Sequence, residues 1–132
     1  MDFGYPGGPK VDKLAKEGEP NIVLPKTHFD NLDFSFSGIK TAIINLHHKN
    51  PDINKADLCI SFEKVVAEVL IENTLKAAKQ IGINKIALAG GVSANSYIRQ
   101  EFLKLQGEYE IYYPELKYCT DNAAMIASAR IL

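Results

Sequence analysis

The sequence has no tryptophan, only two cysteines and no long apolar run. Its hydrophobic stretches fall well short of the roughly 20 residues that a membrane-spanning helix requires, so no membrane partner is expected. Cys59 and Cys119 lie far apart, without the paired spacing of a metal site and with no secretory leader before them. Reduced thiols in a cytoplasmic protein are the expectation. An excess of one charge is lacking too: 15 Lys and Arg stand against 16 Asp and Glu, a net charge of -1. That balance excludes the bulk basic footprint of an autonomous nucleic-acid or membrane-surface binder. Neither G-x-G-x-x-G, nor a P-loop with its Lys-Ser/Thr, nor H-E-x-x-H occurs. The simplest signatures of dinucleotide, P-loop and zincin chemistry are therefore absent.

What remains is 132 residues, enough for one modest domain. Four of the six prolines, Pro6, Pro9, Pro20 and Pro25, fall in residues 1–33, which read as an irregular N-terminal segment. Directly after Met1, "DFGYPGGPKVDKLAKEG" looks like the tail of a turn rather than the start of a domain, so truncation is expected. Val11, Leu14 and Ala15 at helical spacing predict a short helix from Pro9 to Gly18, opened by proline and closed by glycine.

Residues 34–82 read as a helical region. An extended piece, Leu32 to Ser37, puts Leu32, Phe34 and Phe36 on one face, and Gly38 is expected to turn the chain. Ile39, Ala42, Ile43 and Leu46 then predict a helix that Asn50-Pro51 stops. A longer helix, from about Ile53 to Gln80 with at most one break, carries Leu58, Phe62, Val65, Val66, Val69, Leu70 and Ala77 on a broad stripe. Gly82 is placed to cap it.

Residues 83–132 read as a βαβα unit. "NKIALAGG" is apolar without alternation, predicting a buried strand from Lys85 to Ala89. Ile98, Phe102 and Leu105 mark an amphipathic helix, "YEIYYP" a second strand, and "CTDNAAMIASARIL" an alanine-rich helix. Strand, helix, strand implies parallel pairing with a right-handed crossover. Two strands alone make a poor sheet, so strands missing from this chain, or association between chains, are expected to complete it.

The run "ALAGGVSAN", Ala87 to Asn95, carries the main chemical signal. A strand that enters Gly90-Gly91 and leaves as a helix offers backbone N–H groups and a positive helix end to an anion. A plain strand-to-helix turn capped by Ser93 or Asn95 reads the same residues equally well. A nucleophile elbow fits G-x-S-x-G only up to Ala94, and its order requires a histidine after the serine. His28, His47 and His48 all precede Ser93, which removes the hydrolase reading. Asp121 in "CTDNAAMIA" is either a helix cap or a carboxylate able to hold a metal beside a phosphate. His47 and His48, adjacent near a helix end, suit interaction with that end better than metal ligation.

Taken in order, "YPGGP", "FSFSGIKTA", "ALAGGVSAN" and "CTDNAAMIA" resemble the C-terminal part of the TsaD family, the tRNA N6-adenosine threonylcarbamoyltransferases once labelled O-sialoglycoprotein endopeptidases or glycoproteases. The resemblance implies an α/β fold, here a partial RNase H-like, actin-like ATPase lobe, mainly helical with a short parallel sheet, so that residues 1–132 form a single C-terminal lobe. It implies transfer of the threonylcarbamoyl group from threonylcarbamoyl-AMP to N6 of the adenosine next to the anticodon in tRNAs that read ANN codons. Acyl transfer of this kind needs an oriented amine and stabilised oxyanion charge. By motif, Gly8 and Asn95 match substrate-binding positions, Gly90 and Gly91 flank the phosphate part of the site, and Asp121 matches a metal ligand; no catalytic residue is assigned. The implied cofactor is one divalent metal ion, iron in the family with zinc as the alternative, and the nucleotide is ATP or threonylcarbamoyl-AMP. Implied partners are TsaB and TsaE proteins and, through the complex, tRNA. The family's H-x-x-x-H ligands, the acidic residue upstream of "YPGG" and the glycine-rich segment of the other lobe are not in this sequence, so the chain is expected to be inactive alone; missing strands would leave apolar surface and a sheet edge exposed, which is expected to promote homodimers. A non-catalytic nucleotide-binding or interaction module of the same superfold is the alternative; a metalloprotease lacks its ligands.

Overall fold

The computed structural model describes residues 7–26, 29, 31–120 and 123–129. These fall into two compact units, one up to Ile83 and one from Asn84 onward.

The first unit is helical. Helix α1 (Gly8–Ala15) starts with proline in its first turn, where the missing N–H would have no intrahelical partner. Helix α2 spans Ser37–Lys49 and α3 spans Lys55–Ile81. The side chain of Asn54 starts α3 by accepting from the N–H groups of Ala56 and Asp57, a cap worth about 1 kcal/mol. Gly82 ends α3 in the left-handed conformation (φ 76°), and both Gly82 and Ile83 donate to Ala78 O. The helix runs without a break through all 27 residues.

Leu24, Ile39, Leu58 and Val65 form the core of this unit, and Ile39 is fully buried. Burying such a side chain contributes about 1.5–3 kcal/mol. Helix α1 packs on α3. At Gly18 a Cβ would lie 2.3 Å from the carbonyl carbon of Ala56, so only glycine lets the chain leaving α1 pass the start of α3.

One face of α3 then acts as a polar spine for the irregular segment. Asp57 accepts from Glu19 N–H and Asn21 Nδ2, Ser61 Oγ accepts from Ile22 N–H, and Glu68 and Glu72 pair with Lys26. Farther along, Asn73 Nδ2 donates to Asp33 O at 2.9 Å and Lys76 Nζ to Asn31 O at 3.1 Å. Carbonyls that a sheet would have satisfied are thus held by helix side chains. This explains why the expected extended piece at 32–37 joins no strand among the described residues. Gly38 does not turn the chain either; it lies in the first turn of α2.

The second unit contains β1 (Lys85–Ala87), a 3-10 turn (Gly91–Ala94), α4 (Ser96–Leu103), β2 (Glu110–Tyr112), a second 3-10 turn (Leu116–Tyr118) and α5 (Ala123–Ala129). The strands pair in parallel, Lys85 with Glu110, Ile86 with Ile111 and Ala87 with Tyr112. Glu110 N–H donates to Asn84 O and Leu88 N–H to Tyr112 O, which closes the ladder at both ends. The register places Ile86 and Ile111 on the same face, and both are buried, as are Ile98 and Phe102 of α4. The alternate residues Lys85, Ala87, Glu110 and Tyr112 are exposed. The expected buried strand to Ala89 is therefore shorter and one-sided: no third strand or covering layer lies on that face among the described residues of the second unit. The mainly helical architecture with a short parallel sheet is as the sequence implies.

Candidate functional site

A cleft of about 340 Å³ opens at the C-terminal ends of both strands. Ala87 to Gly90 line one side; Tyr112, Tyr113 and Pro114 line the other; Tyr118, Cys119, Thr120 and Met125 complete it. Parallel sheets bind ligands at this edge because the turns that leave the strands present backbone groups there. The lining is chiefly apolar with few polar groups.

The glycine turn takes its form from three local bonds. Gly90 has φ 84°, a conformation that penalises any side chain, and the chain bends out of β1 there. Ser93 is buried, and both its N–H and its hydroxyl donate to Gly90 O, at 3.0 and 2.7 Å. A hydroxyl held in this way is part of the turn rather than an exposed nucleophile, which agrees with rejection of the hydrolase elbow. Asn95 Oδ1 accepts from Ile98 N–H at 2.9 Å, making Asn95 the N-cap of α4. Of the two readings of this run, the cap is thus realised in the geometry.

Arg99 joins this turn to the loop after β2. Its Nε donates to Ser93 O, a terminal nitrogen donates to Pro114 O at 2.8 Å and to Cys119 Sγ at 3.0 Å, and its Cζ lies 5.0 Å from the centre of the Tyr113 ring. Sequence reasoning passed over Arg99. A signal existed: a cation at the start of a helix opposes the helix dipole and needs partners elsewhere. Tyr112 and Tyr113, which the sequence pattern marks only as strand residues, both line the cleft. Tyr112 donates from its hydroxyl to Glu110 at 2.7 Å, and that hydrogen bond to a carboxylate raises the phenol above its usual range.

The structure groups Gly90, Gly91 and Asn95 on one turn. Gly8 starts α1 and belongs to the first unit. Asp121 lies outside the described residues, as does His28. Among the described residues no three His, Cys, Asp or Glu side chains are placed to hold a metal ion, so these residues alone do not fit the implied cofactor. His47 and His48 lie in the last turn of α2, where a cation suits the helix dipole, and they border a separate apolar cleft with Val11 and Phe62. His47 Nδ1 is buried there with no hydrogen-bond partner among the described residues. Both cysteines are free and buried. Burial, with the nearby Glu63 carboxylate, pushes the Cys59 thiol up.

Residues 1–128 match the family model described as tRNA N6-adenosine threonylcarbamoyltransferase, TsaD. The chain belongs to the TsaD family. It is 52% identical to the tRNA N6-adenosine threonylcarbamoyltransferase of Clostridium perfringens strain SM101, 47% to that of Clostridium novyi strain NT and 50% to that of Clostridium kluyveri. Each alignment covers 98% of this chain and 41% of the relative. The chain thus spans about two fifths of the length of these TsaD proteins. Its fold is that of a TsaD-type α/β lobe, and no helix among the described residues is long and apolar enough to cross a membrane.

Proposed function

We propose that this chain is the C-terminal lobe portion of a threonylcarbamoyltransferase that modifies N6 of the adenosine beside the anticodon, and that the cleft beyond β1 and β2 receives the nucleotide part of threonylcarbamoyl-AMP or ATP. The observation that carries the reading is the glycine turn at the C-terminal edge of a parallel sheet, in a chain with close TsaD relatives. Gly90 needs to be glycine for its φ, but Gly91 does not: a Cβ there would meet no described atom within 4 Å. Close approach of a ligand to the backbone accounts for a second glycine. Asn95 and the first N–H groups after the turn would orient the phosphate, and the apolar walls would exclude water from the anhydride.

Residues 1–132 would then be one lobe of an actin-like ATPase fold, with Gly8 at a substrate-binding position and Asp121 supplying one ligand to a divalent metal, iron or zinc. TsaB and TsaE proteins are the proposed partners, tRNA the acceptor and the cytoplasm the compartment. With one of the implied metal ligands and part of the cleft, this polypeptide alone would not transfer the group.

The test is a chimera in which these 132 residues replace the matching portion of the C. perfringens transferase, assayed with threonylcarbamoyl-AMP and tRNA. Transfer by the chimera and none by the 132-residue chain is the expected result. A folded, assembled chimera without activity contradicts the reading.

A further inference from the structure

We propose that Arg99 is the positioning residue of the candidate nucleotide site: it ties the glycine turn after β1 to the loop after β2 and so fixes the shape of the cleft without lining it. The inference rests on the functional reading only in naming the cleft's ligand. Neither the motifs nor the strand pattern pointed to this residue.

The two strands end as register partners, Ala87 beside Tyr112, and after the bond from Leu88 N–H to Tyr112 O no further ladder pairing joins the chain segments among the described residues. Arg99 takes over at that point. On one side its Nε holds Ser93 O, and Ser93 in turn holds Gly90 O. On the other side the guanidinium holds Pro114 O and Cys119 Sγ and lies against the Tyr113 ring. Gly90, Tyr113, Pro114 and Cys119 all line the cleft, whereas Arg99 does not. The Cys119 thiol directs its own hydrogen to Glu115 O at 3.6 Å, leaving sulfur lone pairs toward Arg99.

Only a planar fork serves these acceptors together. A lysine ammonium is a compact point charge that cannot reach carbonyls in both loops while stacking on an aromatic ring. Arg99 also keeps a permanent positive charge next to the turn assigned to a phosphate. Its contribution to binding is therefore geometric first and electrostatic second.

The experiment uses the 132-residue chain, labelled with 15N, with Arg99→Ala and Arg99→Lys variants. In the unaltered chain the Arg99 Nε–H signal should be resolved, slow to exchange and shifted by ATP. Arg99→Ala should raise amide exchange over Gly91 to Asn95 and iodoacetamide labelling of Cys119 by about tenfold or more, a change of about 1.4 kcal/mol. Its ATP affinity should fall by a similar factor. Arg99→Lys should show most of the same loss despite its charge, and millimolar ethylguanidinium should slow Cys119 labelling again in Arg99→Ala alone. Amides of the first unit and labelling of Cys59 should stay unchanged, showing that the rest of the chain is folded.

A fast-exchanging Arg99 Nε–H in the unaltered chain overturns the proposal, whatever happens to the folding of a variant. So does an Arg99→Lys chain that matches the unaltered one to within about twofold in exchange, labelling and affinity. If ATP perturbs none of these residues in the chimeric transferase either, the nucleotide reading fails, and the exchange and labelling results still decide the role of Arg99.

Discussion

Asn95 Oδ1 accepts the Ile98 N–H at 2.9 Å, so the residue proposed to contact substrate is also the cap that starts α4. Substitution can separate the two roles. Asn95→Ala loses both, and should cost about 1 kcal/mol of stability together with nucleotide affinity. Asn95→Asp keeps an acceptor for the cap and places a negative charge where the phosphate is proposed to lie. It should unfold close to the unaltered chain in urea while losing ATP binding; retention of full affinity would remove Asn95 from the site.

Gly18 and Gly90 are required for different reasons, and alanine at each should show it. At Gly90 the cost is an extended backbone at positive φ (φ 84°, ψ 172°), a region essentially confined to glycine, about 1–3 kcal/mol. At Gly18 the cost is a clash with the Ala56 backbone at 2.3 Å, which α3 cannot relieve by a rotamer change. Gly18→Ala should destabilise the first unit by about 1–3 kcal/mol, the range for overpacking. Urea melts followed by probes in each unit check this; an effect of Gly18→Ala confined to the second unit would be the wrong outcome.

Lys26 illustrates a pH dependence whose sign follows from its partners. Burial lowers its ammonium, and hydrogen bonds to Glu72 and Glu68 outweigh that, so the net direction is up. A raised cation stabilises the fold below its ordinary range and loses that contribution as the pH climbs through the raised value. Lys26→Met should cost up to about 1 kcal/mol at neutral pH, given its part exposure, and the difference should shrink only in strong alkali. A cost equal at pH 7 and in strong alkali would show that the ion pairs contribute nothing.

Much of this fold was legible in the sequence because its signals were local. Pro9, Asn50-Pro51 and Gly82 punctuate the helices much as their backbone chemistry requires, and the strand-helix-strand order gave parallel pairing. What was not legible depends on partners distant in sequence. The stretch around Phe34 carries strand-like alternation, but Asn73 and Lys76 of α3 take its neighbouring carbonyls. Apolar continuity from Lys85 to Ala89 suggested burial on both faces, whereas the described sheet has two strands. In the site, glycine and asparagine were readable from their backbone roles. Arg99 was not, since three of its partners lie 14 to 20 residues away, beyond any local pattern.

The one-sided sheet has a consequence for association. Tyr112, Tyr113, Leu116, Tyr118 and Ile126 are all exposed in the second unit. Apolar groups beside an open strand edge favour pairing with another chain. The 132-residue polypeptide should dimerise reversibly, with sedimentation showing a concentration-dependent shift. Tyr112→Lys should weaken it by placing a charge on the exposed strand; a monomer at all concentrations would count against this.

The central claim is that the cleft beyond β1 and β2 receives a nucleotide, and an ATP titration of the chimeric transferase, with these residues labelled with 15N and followed one by one, tests it most directly. Saturable shifts should centre on Gly90, Gly91 and Asn95 and extend to Tyr113 and Thr120. Shifts confined to the first unit, or none at concentrations that saturate the assembled transferase, would contradict it.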